Sequence, residues 1–154
     1  MKIDNILGGF RRRHLPINAD YRPMYKIGII VCILSKVCIA NKSSLNKLHF
    51  FVWALKSNKN RANILKLLDS GETSEIISWG VEPALNKALS FCLAEELISL
   101  PTDKYVLTEK GRELFIKIES DPDLLLDEKT FLSNIGKRKV TETYIDRLTL
   151  KLMN

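Results

Sequence analysis

The stretch Leu97-Ile98-Ser99-Leu100-Pro101-Thr102-Asp103-Lys104-Tyr105-Val106-Leu107-Thr108-Glu109-Lys110-Gly111-Arg112-Glu113-Leu114 decides the fold. It opens with a short apolar run, turns at Pro101-Thr102-Asp103 and continues through Tyr105-Val106-Leu107, a pattern that predicts a β-hairpin. Thr108 then stands where a helix N-cap belongs, its hydroxyl able to accept a backbone N–H of the first turn. Leu114, Phe115 and Ile118 follow at helical spacing as the inward face, and Asp121-Pro122-Asp123 ends the helix.

Upstream, Glu82-Pro83 opens another helix, with proline in the first turn where its missing N–H does no harm. Ala84, Leu85, Ala88, Leu89, Cys92 and Leu93 form its apolar stripe, Phe91 and Leu97 extend it, and the helix is expected to run to about Glu96. Residues 75–79, ended by Gly80, predict the first strand of a small sheet. The piece Leu107-Thr108-x-x-Gly111 resembles the wing of many bacterial winged-helix proteins. The resemblance implies that the leucine enters the core as the second wing strand ends, the threonine caps the next helix, and the glycine lets that helix approach its neighbour closely. It is uninformative about ligand.

Working outward, residues 24–40 are apolar nearly all round, interrupted by Lys26, Gly28, Ser35 and Lys36, as in a helix buried on most sides. A second helix, about 44–57, places Leu45, Leu48, Val52 and Leu55 at helical spacing, with Phe50, Phe51 and Trp53 widening the apolar surface. A third follows the polar break Ser57-Asn58-Lys59-Asn60, carries Ile64, Leu65, Leu67 and Leu68, and stops at Gly71. Residues 1–23, with Gly8-Gly9, Pro16, Pro23 and Arg11-Arg12-Arg13, favour an extended arm. Residues 124–154 hold Leu124-Leu125-Leu126, the basic run Lys137-Arg138-Lys139, and a helix with Val140, Tyr144, Ile145, Leu148 and Leu152 along one side.

The expected fold class is mainly α (α+β): a winged helix-turn-helix with an N-terminal helical lobe and a C-terminal helical extension. The divisions are a basic arm over 1–23, the helical lobe over 24–71, the winged-helix unit over 72–123 and the extension over 124–154. Residues 24–123 are expected to form one compact domain.

The net charge of +6 is unevenly distributed. Residues 1–23 carry five Lys/Arg against two acids, and residues 24–71 eight against one. Residues 72–123 carry five against eleven, and residues 124–154 six against four. A DNA-reading winged helix places cations on its recognition helix and wing tip. The helix from 82 offers only Lys87, and the hairpin tip offers Lys104 beside Asp103. The stronger cationic features are Arg11, Arg12 and Arg13; Lys56, Lys59 and Arg61; and Lys137, Arg138 and Lys139. These are candidate contacts for nucleic acid or for an acidic partner, against the alternative of ordinary solvated charge.

Independent catalysis is not expected. Nucleophile-elbow, phosphate-loop and dinucleotide motifs are absent, and Glu95-Glu96, as neighbours, diverge by about 100° on a helix. His14, His49, Cys32, Cys38 and Cys92 lack metal-ligand spacing, so no metal or cofactor is expected. The three cysteines lie in apolar runs, which suits buried thiols in a reducing cytoplasm. The run 27–34 is too short to span a membrane, and the N-terminus lacks the apolar core of a signal peptide. Phe50, Phe51 and Trp53 cannot share one face of a helix, and the ridge Tyr144, Ile145, Leu148 and Leu152 lies beyond the winged unit. Some of this apolar surface is expected to be a protein interface, the alternative being that the C-terminal helix folds back on the first lobe.

The basic arm, the apolar helix over 24–40 and the run Phe50-Phe51-Val52-Trp53-Ala54-Leu55 widen the likeness. Over roughly residues 20–120 the chain resembles the small middle component of bacterial ABC three-component defence systems, the group that includes Lamassu. The resemblance implies a non-catalytic subunit joining an SMC-like ABC ATPase to an effector, often a nuclease, in an anti-phage complex. It carries over no individual residue; the basic regions add the expectation that they lie near DNA held by the ATPase partner, with nonspecific DNA contact within the complex left open. Pairing of two copies of the chain stays open. The competing expectation is a free-standing winged-helix transcription regulator.

Overall fold

The computed structural model describes residues 23–71 and 78–153. Among the described residues, seven α-helices surround or extend a three-stranded antiparallel sheet, so the fold is mainly helical. Helix α1 is Pro23–Lys36, followed by a 3-10 turn at Ile39–Asn41 and strand β1, Lys42–Ser43. Helices α2 (Leu45–Ala54), α3 (Asn58–Ser70) and α4 (Pro83–Ala94) precede β2 (Ile98–Ser99) and β3 (Tyr105–Leu107). Helices α5 (Glu109–Ser120), α6 (Leu126–Ile135) and α7 (Glu142–Met153) complete the chain.

Nine consecutive residues of α1, Lys26 to Leu34, are buried. A helix apolar on every side must be enclosed on every side, and α2, α4, α5, α6 and β3 all pack on it. The same core takes in Phe131, Leu132 and Ile135 of α6, Val140, and Ile145 of α7. Residues 124–154 therefore contribute to the core as well as extending beyond it.

The sheet has the order β1-β3-β2. Lys42 pairs with Val106, Ser43 with Tyr105, Ile98 with Leu107 and Ser99 with Val106. The expected strand over 75–79 lies largely outside the described residues, and Ser78 and Trp79 are not extended in a ladder. The strand flanking the hairpin is instead Lys42–Ser43, which joins the N-terminal helical segment to the hairpin.

Helix ends follow their sequence signals. Ser44, Ser57 and Thr108 each accept a first-turn backbone N–H, and Gly71 closes α3 at φ 75°. Helix α1 ends at Lys36 rather than near residue 40, because the backbone is already extended at Cys38 (φ −119°, ψ 125°), before Ala40 and Asn41 adopt positive φ. Helix α4 ends at Ala94, and Glu96 turns left-handed at φ 60° to lead into β2. Glu95 and Glu96 thus lie in a turn and are not consecutive helical residues.

The Leu107-Thr108-x-x-Gly111 piece locks the hairpin to its neighbours. Leu107 is buried, and the Thr108 hydroxyl donates to Glu96 O at 2.5 Å while accepting from Gly111 N at 3.1 Å. Thr108 N donates to Leu97 O at 3.1 Å. A β-carbon on Gly111 would stand 2.1 Å from Leu97 O and 2.6 Å from Leu107 Cδ1. The obstacle is backbone, so the helix itself would have to move.

Gly111→Ala should therefore lower stability by about 2–3 kcal/mol, even though alanine is the better helix former by about 1 kcal/mol. Denaturant unfolding measures it; an unchanged or raised midpoint would show that the close approach is absent.

Candidate interaction surfaces

Helix α4 buries Leu85, Ala88, Leu89 and Cys92 and leaves Asn86, Lys87, Ser90, Leu93 and Ala94 exposed. Val81, just before the helix, is 76% exposed. Lys87 is the single cation of α4. At the hairpin tip Lys104 Nζ lies 3.5 Å from Asp103 Oδ2, and this neighbour holds the Asp103 carboxyl below its ordinary range. The surface made by α4 and the hairpin is thus low in charge and partly apolar.

The aromatic helix α2 is placed differently from the expected interface. Phe50 and Phe51 are wholly buried, in edge contact at 5.2 Å, and Phe50 also meets Trp79 edge-on at 5.0 Å. They are core residues because α2 packs against α1, α3 and α7 of the same chain. Trp53 is half-buried against the same core.

The C-terminal ridge also folds back. Ile145 is fully buried, while Tyr144 and Leu148 are half-buried on the core. Burial raises the Tyr144 hydroxyl pKa, and Arg147, 5.9 Å from the ring, opposes this. Helix α7 is tied to α2 by Asn46 Nδ2, which donates to Thr149 Oγ1 at 2.8 Å, and by Ser44 N, which donates to Glu142 Oε1 at 3.0 Å. Trp79 Nε1 in turn donates to Asn46 Oδ1 at 2.9 Å. Leu150 (61%) and Leu152 (43%) remain exposed near the end of α7. Of the expected interface residues, Leu152 keeps the largest free surface.

Part of the basic charge of residues 24–71 is engaged within the fold. Lys26 is 1% exposed, with Nζ 3.0 Å from Glu82 Oε1, and Lys56 approaches the same oxygen at 3.7 Å. Lys47 is buried and donates to Val37 O at 3.0 Å, just beyond the end of α1. Lys36 meets Glu119 at 3.0 Å and donates to Ser133 Oγ at 2.9 Å. Arg61 donates to Leu55 O at 2.9 Å and to Asn58. Lys59 is exposed but also has a partner. Farther along, buried Lys129 donates to Ile118 O at 2.9 Å and Asp121 O at 2.7 Å, capping α5. Sequence periodicity marks these lysines as interruptions of an apolar pattern but cannot identify the carbonyl or carboxylate that receives each one.

Arg11, Arg12 and Arg13 lie outside the described residues. Lys137, Arg138 and Lys139 are exposed in the loop between α6 and α7.

Beside the Lys26–Glu82 pair, His49 is buried and its Nδ1 accepts from Glu82 N at 3.3 Å. Burial lowers its pKa from the ordinary 6.5, while the Glu82 carboxylate opposes that shift. The thiols of Cys32, Cys38 and Cys92 are all buried, and burial pushes them up to about 12, 11 and 12. They are therefore protonated and shielded from reagents at neutral pH. No group of three or more metal-binding side chains occurs among the described residues, and none of their helices is long and apolar enough to cross a membrane.

No family model matches the chain, and no curated protein or solved structure matches it either.

Because the folded state keeps His49 neutral to a lower pH than the unfolded chain does, unfolded molecules bind the proton first. Stability should hold above the unfolded value of 6.5 and fall as pH drops below it toward the lowered folded pKa. Denaturant midpoints from pH 7.5 down to pH 5.5, roughly the range bracketing a histidine titration, should decline more steeply for the wild type than for His49→Asn. Parallel slopes would remove His49 as the cause.

Proposed function

We propose that the chain is a non-catalytic winged-helix adaptor, joining an SMC-like ABC ATPase to an effector in a bacterial anti-phage complex. The winged-helix reading is supported by the order helix, strand, helices, hairpin, with β3 central, and by the capped helix that follows the hairpin. In this reading α4 occupies the recognition-helix position and β2–β3 form the wing, while α3 is an additional helix before α4.

The observation that carries the adaptor reading is the weakly charged outer face of α4 and the hairpin. A duplex carries one negative charge per about 1.7 Å of axis, and a protein reading it needs several unpaired cations at the groove and at the wing tip. Here α4 offers Lys87, and Lys104 sits against Asp103. Exposed Val81, Ser90, Leu93 and Ala94 suit a protein surface better, since interface centres are depleted in charge. The effector and the ATPase come from the family resemblance; the nature of the α4 face is compatible with either as its partner.

The tagged chain, purified from its native host, should bring a coiled-coil ABC ATPase with it in stoichiometric amount. Ser90→Arg with Leu93→Asp, both exposed positions, should reduce that recovery by about tenfold or more, the size of effect expected from a central interface site, without altering the thermal midpoint by more than a few degrees. Tight binding of one defined duplex by the isolated chain, lost in Lys87→Glu with Lys104→Glu, would instead establish a transcription regulator.

A further inference from the structure

When the cations engaged in the fold are set aside, five of those remaining converge on one edge. Lys42 is exposed on β1, an outer strand of the sheet. The neighbouring Asn41 accepts from Lys137 Nζ at 3.4 Å, which brings the α6–α7 loop against the turn preceding β1. Two residues on, Lys139 lines a groove of about 410 Å³ together with Lys66 of α3. Arg138 lies between them, and all five side chains are exposed. Cations of β1, the α6–α7 loop and the last turns of α3 are therefore gathered along one edge from three segments far apart in sequence.

None of the five forms an ion pair with a described residue. The groove lining holds one carboxylate, Asp69. Four of the five are lysines, compact charges on flexible stems with no fixed fork to read a planar acceptor. Such an edge fits a row of evenly spaced phosphates better than the edge of a base, and better than a peptide whose carboxylates occur at irregular intervals.

We propose that Lys42, Lys66, Lys137, Arg138 and Lys139 form a sequence-independent binding track for the phosphodiester backbone of a nucleic acid. The track shares no residue with α4 or the hairpin, although β1 pairs with β3, and it does not depend on the adaptor reading. Binding is electrostatic, so it weakens steeply with salt and is indifferent to base sequence.

Fluorescence anisotropy with a labelled duplex of roughly 25 base pairs of mixed sequence tests this, with single-stranded RNA of the same length as a second probe to identify the source of the phosphates. The full chain should bind at about 50 mM salt, and the variant Lys66→Glu/Lys137→Glu/Arg138→Glu/Lys139→Glu should bind about tenfold or more weaker. Its log–log salt slope should be shallower by about 3–4, close to the 0.9 per phosphate contact expected for four lost contacts on duplex DNA. Lys87→Glu with Lys104→Glu should stay within about twofold of wild type, since neither residue belongs to the track. Should the quadruple reversal perturb folding, neutral Lys137→Gln/Arg138→Gln/Lys139→Gln supplies the same readout at smaller amplitude. Absence of nucleic-acid binding at low salt, an unchanged slope in the track variants, or tighter capture by phosphatidylserine vesicles or polyglutamate would overturn the proposal. Failure of the adaptor reading has a different signature, a sequence-specific affinity that disappears in the Lys87/Lys104 variant.

Discussion

Helix α1 has no side it can leave in water. With residues from Lys26 to Leu34 buried in unbroken succession, each apolar side chain contributes about 1.5–3 kcal/mol only if something covers it. That requirement draws α2, α4, α5, α6 and β3 around one axis. It also explains why segments that read as separate in sequence share a core: an enclosing layer must come from several places along the chain, and α6 supplies what the hairpin and α4 leave uncovered.

Enclosing a helix leaves the carbonyls at its C-terminus to be satisfied, and lysines answer that need. A helix C-terminus presents carbonyls with no intrahelical partner and a partial negative charge. Lys47 reaches the carbonyl of Val37, Lys129 reaches those of Ile118 and Asp121, and Lys36 anchors the last turn of α1 to Glu119 and Ser133. Charge-assisted hydrogen bonds of this kind offset the cost of desolvating an ammonium. At the other end of α1, Lys26 is held against Glu82, the residue that begins α4. Part of the basic excess of residues 24–71 is therefore a packing device, while Lys42, Lys56, Lys59 and Lys66 remain surface charge.

The elements read most directly from sequence are those whose signals are local. Thr108, Ser57, Gly71 and Pro83 mark their helix ends through groups within one turn, and Gly111 combines with Leu107 and Thr108 in a pattern short enough to recognise. Strand β1 has two residues, too few for an alternating pattern, and exists because β3 offers it a ladder from more than sixty positions away. Helix α6 begins after Leu125 at φ 52°, with no side-chain cap to announce it. Phe50 and Phe51 could be recognised as more apolar surface than one helix face holds, but which surfaces cover them depends on tertiary contacts. The same limit applies to the surface: the run Lys137-Arg138-Lys139 is visible as a basic patch, whereas its gathering along one edge with Lys42 and Lys66 exists only after folding.

The low-charge face and the cationic edge are built from different elements, and this separation has a physical consequence. A polyanion approaching the molecule meets a shallow potential at α4, where Lys87 faces solvent among neutral side chains, and a deeper one where five cations reinforce one another. Screening shortens that reinforcement to about 8–10 Å at ordinary ionic strength, so neighbouring members of the track act together while the internal lysines, already engaged by carbonyls or carboxylates, add little to its outward field. Charge alone would thus orient the chain on a polyanion through the edge formed by β1, the α6–α7 loop and the end of α3, leaving the exposed residues of α4 available to a second macromolecule.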